Sequence, residues 1–424
     1  MLDIKLFREK PDYVKAKLVL RNEDLSVLDE LFVLDQKRLE IIRKVEALRE
    51  LRNKVSNEIG IMKKNKLDTT EKVSEMKKVS DEIKTLDDEQ SDIEQKIENL
   101  LYYIPALPDD SVPVGKTSED NIVVRTIGEK KEFNFSVKDH LELGKINDII
   151  DFERGAKITG SGFPLYKGKG ATLERALINL MLDTHIENGY REVLTPVLVN
   201  RSSMEAAEKV PKFEDDMYHI MPDDLFAIPT AEVPIINIHR DEILKEEDLP
   251  LKYCGFTNCF RREAGSYGKE TKGFLRVHQF NKVELINFCK PEDSYIELEK
   301  MVLDACRILD KLELHYRIIE LCTGDLGFAA SKCYDIEVWS YAENKWLEAS
   351  SVSNCTDFQS RRGKIRFKKN LGTGKSRTEY VHILNGSGLA TSRLMVSLLE
   401  TYQTEDGHII VPSALRKYLT FDII

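Results

Sequence analysis

The sequence predicts an α+β protein in two parts. An antiparallel two-helix coiled-coil arm lies near the N-terminus, and a larger domain built on a mainly antiparallel β-sheet flanked by helices follows it. Three observations carry this expectation. Apolar residues keep a seven-residue beat from Leu31 to Leu100, and three prolines fall within the nine residues 105–113 just after it. Beyond them, strand-like runs recur with helical patterns between only some of them, which favours α+β over a doubly wound sheet.

The arm comes first. One apolar row reads Leu34, Ile41, Leu48, Val55, Met62, and its companion holds Leu31, Val45 and Ile59, with Arg38 and Arg52 interrupting. After Asn65-Lys66-Leu67-Asp68 the beat restarts as Val79, Leu86, Ile93, Leu100 beside Met76, Ile83, Gln90 and Ile97. A spacing of 3.5 residues sustained over four heptads means a left-handed coiled coil, and a short polar break means that the helices fold back on each other. At ~1.5 Å per residue, Leu31 to Met62 spans roughly 48 Å. An arm that long has little core of its own and must reach something.

The two helices differ in charge. Residues 37–66 carry ten Lys/Arg and four Glu, hence +6, while 68–98 carry five Lys and eleven Asp/Glu, hence −6. The bland reading is neutralisation across the hairpin. The functional one is that Arg43, Lys44, Arg49, Arg52, Lys54, Lys63 and Lys64 face a polyanion.

The prolines Pro105, Pro108 and Pro113 end the arm, because that run cannot continue a helix. The expected division is an N-terminal domain over 1–104, with the hairpin at about 28–101, a linker over 105–120, and a larger domain over 121–424. In the last, Ala171 to Asn188 reads as an amphipathic helix stopped by Gly189. Strands are expected at Glu192–Asn200, Lys252–Thr257, Lys282–Phe288, Tyr334–Val338, Ile365–Phe367 and Tyr380–Leu384.

Composition narrows the setting. With 63 Lys+Arg against 73 Asp+Glu the net charge is −10, which argues against wrapping nucleic acid with the whole surface but leaves room for a local basic face. The seven cysteines are odd in number, lie beyond residue 250 and form no CxxC pair, so free buried thiols are expected and neither a zinc ribbon nor a redox pair. The charged first ten residues resemble no signal peptide and nowhere do eighteen apolar residues run together, so a cytoplasmic protein with no membrane or DNA partner is expected.

One motif is a decoy. Gly372-Thr373-Gly374-Lys375-Ser376 looks like the end of a phosphate-binding P-loop, but position 369, where that loop needs glycine, is Lys. An exposed turn is expected there. Better candidates are Phe260-Arg261-Arg262-Glu263, the glycines Gly265, Gly268 and Gly273, and Arg276-Val277-His278-Gln279-Phe280. Two strands joined by a polar loop would bring Arg261, Glu263, Arg276 and Phe280 to one pocket. Guanidinium forks suit phosphate oxygens, a carboxylate accepts from an adenine amino group, and Phe280 can stack on a base. Farther on, Asn385-Gly386-Ser387-Gly388-Leu389-Ala390 is expected to open a helix carrying Arg393, its small residues letting backbone amides approach a ligand.

These elements, in this order, resemble the class II aminoacyl-tRNA synthetases. Phe260–Glu263 with Arg276–Phe280 looks like their second signature motif, and Gly386–Arg393 like their third. The first, at the family's dimer interface, would be the helix before Gly189 with the strand Arg191–Val199, where Pro196 fits an edge. Thr230-Ala231-Glu232, Phe260–Gly265, Val277–Glu284, Glu348–Ser351 and Asn385–Ala390, behind a hairpin arm, are similar to the seryl-tRNA synthetases. The resemblance runs the whole chain. It implies a homodimer that activates L-serine with ATP and Mg²⁺ and loads it onto tRNA(Ser), and onto tRNA(Sec) where that exists, with the arm gripping the tRNA.

By the same resemblance, Arg261 and Arg393 are the catalytic cations, Arg261 bridging serine carboxylate and α-phosphate. Glu263 reads adenine and Phe280 stacks on it, while Arg276 and Arg393 hold the triphosphate. Arg262, Val277, Ala349 and Ser350 complete the ATP set. Glu348 and Ser351 bind Mg²⁺, with Asp335 or Glu337 as alternative ligands. Thr230, Ala231, Glu232, Glu284, Asn385 and Ser387 bind serine together with Arg261. A pocket built to bond a hydroxyl can reject alanine by roughly 10⁴–10⁵-fold. No residue among these is an evident base for the ribose hydroxyl, and no segment is large enough for a hydrolytic editing domain. One departure stands out: Met204–Phe213 lacks the family's usual glycine turn before Pro-Lys-Phe, which predicts a stiffer, more helical loop. A paralogue loading a carrier protein should lack the arm, and a scaffold should lose Arg261, Glu284 or Arg393. Neither loss occurs.

Overall fold

The computed structural model describes residues 1–264 and 273–424, and the chain divides into two compact units, Leu2–Ile104 and, with Met1, Pro105–Ile424. In the first unit, two short helices, Ile4–Glu9 and Pro11–Leu20, precede the arm helices Ser26–Lys64 and Thr70–Leu101. Asp3 caps the first helix by accepting from the Lys5 amide, and Pro11 opens the second, where a missing N–H costs nothing. At 39 residues, the first arm helix is about 58 Å long.

The seam follows the heptads. Ile41 and Val45 are buried against a row that includes Met76, Ile83, Leu86, Ile93 and Ile97. Arg38, one of the two interruptions, sits over the buried Asp35 at 2.9 Å and reaches Glu94 at 3.5 Å. Much of the charge asymmetry is spent between the helices, in pairs such as Lys37–Glu89 (2.7 Å), Lys44–Glu82 (2.9 Å) and Arg49–Asp87 (2.9 Å).

In the second unit an eight-stranded sheet runs, in spatial order, Ile122–Ile127, Tyr316–Glu320, Lys332–Ser340, Lys345–Asn354, His382–Ala390, Gln279–Cys289, Leu251–Phe260, Arg191–Glu192. Every pairing is antiparallel except the last. The helices Lys169–Glu187, Ser294–Lys311 and Thr391–Thr401 contribute Leu177, Met301 and Leu394 to one large apolar core with Val283, Leu285, Val352 and Leu384 of the strands. Strand side chains alternate faces, so Ile286, Phe288 and Ile383 belong to a second apolar cluster with Ile235 and Phe367.

Several expectations change. The segment expected as one strand, Glu192–Asn200, is broken: Arg191–Glu192 joins the large sheet, while Leu198–Asn200 pairs with Leu225–Ala227 in a separate sheet. Pro196, which lacks an amide donor, lies in the break. Asn385–Ala390 does not open a helix. It ends the strand His382–Ala390, and the helix begins at Thr391.

The proline-rich run expected as a linker is bonded into the second unit. The Ala106 amide donates to the Phe328 carbonyl and that of Asp109 to the Ser331 carbonyl, both at 2.9 Å. Gly372–Lys375 is a turn between Arg366–Asn370 and Ser376–Tyr380, with no helix following. The loop at Met204 is helical only to Ala206, after which Glu208 takes a left-handed conformation at φ 51°. All seven cysteines are free and buried.

Candidate active site

The sheet face opposite the three helices carries the site. Alternation puts Lys282 and Glu284 on that face while Val283 and Leu285 enter the core. Strand register sets them beside their neighbours: Ser387 lies opposite Glu284, and Thr257 opposite Lys282. The next strand over adds Glu348 and Ser351, a bulge keeping both on the open side while Leu347, Ala349 and Val352 are buried. Lys282, Glu284, Ser387, Glu348 and Ser351 help line a cavity of about 640 Å³, and a side chamber of about 190 Å³ shares residues including Arg261, Glu263, Arg276 and Glu348 with it.

The deep end is a network of buried charges. The Thr230 hydroxyl donates to Glu284 at 2.7 Å and accepts from the Lys282 ammonium at 2.8 Å and the Glu232 amide at 3.2 Å. Lys282 also pairs directly with Glu284. Burial pushes the Glu284 carboxyl up, and Lys282 opposes that shift. Glu232, at the start of the helix Glu232–Asn237, receives Lys209 at 3.0 Å, Gln359 at 2.6 Å and Asn385 at 3.2 Å.

Nearer the mouth the groups are cationic and aromatic. The Arg261 guanidinium lies 5.1 Å from the Phe280 ring centroid, a cation–π arrangement. Arg276 pairs with Glu263 at 3.2 Å. Arg393, in the first turn of its helix, donates to the Glu348 carbonyl at 2.9 Å and lies 3.3 Å from the Glu348 carboxylate. Val277 and Ala349 line the side chamber. Asp335 faces Ser351 across the ladder, and burial, then the nearby Glu348, pushes its carboxyl up to about 8. Glu337 is taken up by Arg317.

Three expected residues stand apart from both chambers. The Arg262 guanidinium donates to the Asp215 carbonyl at 3.0 Å, tying this strand end to the segment at Asp216. Ala231 is packed in the second apolar cluster, and the Ser350 hydroxyl donates to the Ser387 carbonyl at 2.6 Å beneath the site. Gly265 and Gly268 lie outside the described residues. The glycines of Asn385–Ala390 serve packing. A Cβ on Gly386 would sit 3.0 Å from Val352, and one on Gly388 would sit 2.5 Å from the His185 ring. Glycine there lets the helix layer close on the sheet, which corrects the expectation of a ligand-approach loop.

Sequence reasoning missed Lys209, Lys282 and Gln359. Lys282 had a signal, since it stands two residues before Glu284 on one strand face. Lys209 and Gln359 had none, because 150 residues separate them.

Comparison with known proteins agrees in both halves. Residues 1–108 match the family model described as the seryl-tRNA synthetase N-terminal domain, and 212–402 match that of the tRNA synthetase class II core domain (G, H, P, S and T). The serine–tRNA ligase of Chloroherpeton thalassium is 53% identical over the full length of both chains. Among solved structures, seryl-tRNA synthetase from Pyrococcus horikoshii complexed with ATP superposes with a TM-score of 0.92 at 39% identity, covering 100% of this chain and 99% of its own. The cytoplasmic serine–tRNA ligase of Naegleria fowleri in complex with AMP gives 0.86 at 28% identity, covering 99% and 97%.

Proposed function

The chain belongs to the seryl-tRNA synthetase family, and from that membership we infer that it is a serine–tRNA ligase whose described cavity is its active site. It activates serine with ATP and transfers the seryl group to tRNA(Ser). A serine carboxylate oxygen attacks the α-phosphorus and pyrophosphate leaves. The tRNA 3′-terminal ribose hydroxyl then attacks the carbonyl and AMP leaves. Both steps need positioning and charge stabilisation more than covalent help from the protein.

One observation carries the assignment of the site: buried carboxylates and a threonine hydroxyl at the closed end, arginines and an aromatic ring at the open end. An α-amino acid has an ammonium at one end of its backbone and a carboxylate at the other, which suits that polarity. Glu232, Glu284 and Thr230 receive the ammonium, and Glu284 with Ser387 receives the hydroxyl. Arg261 bridges the substrate carboxylate and the α-phosphate. Phe280 stacks on adenine, Glu263 accepts from its amino group, and Arg276 and Arg393 hold the phosphate tail.

Magnesium fits the donor set. Glu348 and Ser351 offer hard oxygens, and Asp335, whose carboxyl is raised by burial and then by Glu348, stands beside them. Among the described residues no three His, Cys, Asp or Glu side chains group together, and Mg²⁺ is an ion commonly held by one or two carboxylates together with substrate phosphates and water. The bound ion would neutralise charge on the triphosphate.

The remaining proposals concern partners. Arg43, Arg52, Lys54, Lys63 and Lys64 make no ion pair among the described residues and are the arm positions best suited to RNA phosphates. Lys44 and Arg49 already have partners. Leu194, Val197 and Leu198 are exposed around Pro196, which supports homodimerisation through this segment. Charging of tRNA(Sec) and a cytoplasmic location are proposed on family membership. Among the described residues no helix is long and apolar enough to cross a membrane. ATP–pyrophosphate exchange with each of the twenty amino acids tests the assignment. Serine alone is expected to support exchange, and exchange with another amino acid instead would overturn it.

A further inference from the structure

The floor of the cavity contains a second carboxylate–lysine pair. Glu208 is buried, and its backbone stands at φ 51°, a conformation uncommon for an L-residue other than Asn or Asp. Lys209 spans two carboxylates, 2.8 Å from Glu208 and 3.0 Å from Glu232. The Gln359 amide spans the same two, donating to Glu208 at 2.9 Å and Glu232 at 2.6 Å. Glu208 and Glu232 are thus held as a bridged pair, and only Glu232, with Lys209, lines the cavity.

Two ion-pair groups, Lys209 with Glu208 and Glu232 and Lys282 with Glu284, meet through the Thr230 hydroxyl, and with all five ionised they carry one net negative charge. One ammonium ligand neutralises that balance. Were Glu208 absent, Lys209 would pair with Glu232 alone, and the floor would be neutral before any substrate arrived. Arg362 and the Met1 ammonium also act on Glu208, but the Arg362 guanidinium donates to the Glu205 carbonyl, the Met1 ammonium donates to the Phe358 carbonyl, and neither lines the cavity.

We propose that Glu208 is a positioning residue for the amino-acid substrate: it draws the Lys209 ammonium partly off Glu232, so that Glu232 keeps unneutralised charge for the substrate ammonium. This rests on the reading of Glu232 as an ammonium acceptor. It assigns no contact between Glu208 and substrate, and it predicts that the pair Glu208–Lys209 is dispensable as a unit while Glu208 alone is not.

The test is ATP–pyrophosphate exchange on the full chain, with KM measured separately for serine and ATP. Letting Lys209 neutralise Glu232 alone weakens the pull on the substrate ammonium, and one nearby charge is worth about tenfold at the low end, so Glu208→Gln should raise the serine KM by up to about tenfold while the ATP KM stays put. The double variant Glu208→Gln/Lys209→Gln restores the single net negative charge and should bring the serine KM most of the way back. Glu208→Gly, which relieves the left-handed backbone while removing the same carboxylate, should show the same serine defect. A purely structural role would make the double variant no better than the single one, and that result overturns the proposal. Glu232→Gln separates the two layers: an unchanged serine KM there sinks the ammonium-acceptor reading itself. A raised KM in Glu232→Gln with none in Glu208→Gln sinks this inference alone.

Discussion

Replacing Lys282 by Met removes one half of a buried ion pair and leaves the other half stranded. Lys282 and Glu284 are 6% and 2% exposed, and the lysine ammonium is bonded both to Glu284 and to the Thr230 hydroxyl. Breaking a buried pair from one side costs about 3–5 kcal/mol, because an uncompensated charge remains. The second unit has about 320 residues. At ~2.1 cal/mol/K per residue its unfolding entropy is about 0.7 kcal/mol/K, so the melting temperature should fall by roughly 4–7 °C. The loss should depend on pH. Burial already raises the Glu284 carboxyl, with Lys282 opposing it, and without the lysine it rises further. A carboxyl raised in the folded state favours folding where it is protonated and loses that contribution as pH climbs through its folded value. Differential scanning calorimetry at pH 5.5 and pH 8 should therefore find the larger deficit at pH 8, and Lys282→Met/Glu284→Gln should recover most of it. A deficit equal at both values, or a double variant as unstable as the single, would refute the stranded-carboxylate reasoning.

Gly388→Ala should lower the melting temperature by several degrees through about 1–3 kcal/mol of overpacking, since its Cβ would sit 2.5 Å from the His185 ring and 2.9 Å from Leu285; an unchanged melt counts against the close-packing account. Asp335→Asn should raise stability at pH 8.5 in magnesium-free buffer by several times more than at pH 4.5. The carboxyl is pushed up to about 8, so its folded form is favoured when protonated and disfavoured once charged. Arg261→Ala should abolish serine-dependent exchange with the fold intact by circular dichroism, whereas Arg262→Ala, whose guanidinium is bonded to the Asp215 carbonyl, should reduce it far less. In the arm, Arg43→Glu with Arg52→Glu should cut tRNA charging and its salt dependence while leaving serine-dependent exchange intact. Lys44→Ala, which loses a cross-hairpin partner, should do less; equal losses would show that the paired and unpaired positions do not differ.

Residues acting over short sequence distances were the legible ones. The heptads of the arm, its turn, the exposed turn at Gly372–Lys375 and the free thiols follow from periodicity, turn chemistry and cysteine spacing, all of which operate within a few residues. The motifs around Arg261, Phe280 and Arg393 were legible because each is contiguous. Register was not. The strand Lys345–Asn354, which carries Glu348 and Ser351, was not recognised, since its polar face is a site rather than a solvated surface and blurs the alternation. The role of Gly386 and Gly388 was misread for a related reason: what a glycine accommodates is set by the element packed against it, here helices more than 80 residues away in sequence.

By itself, then, the sequence determined the arm, the order of its chemical motifs and, through them, the family. Tertiary structure alone decided which charges meet. Lys209 spans Glu208 and Glu232, Gln359 closes the same pair from 150 residues away, and Lys282 turns from an anonymous strand lysine into the counter-ion of Glu284. Coulomb energy depends on distance in space and on burial, and one-dimensional spacing encodes neither until the strands are in register.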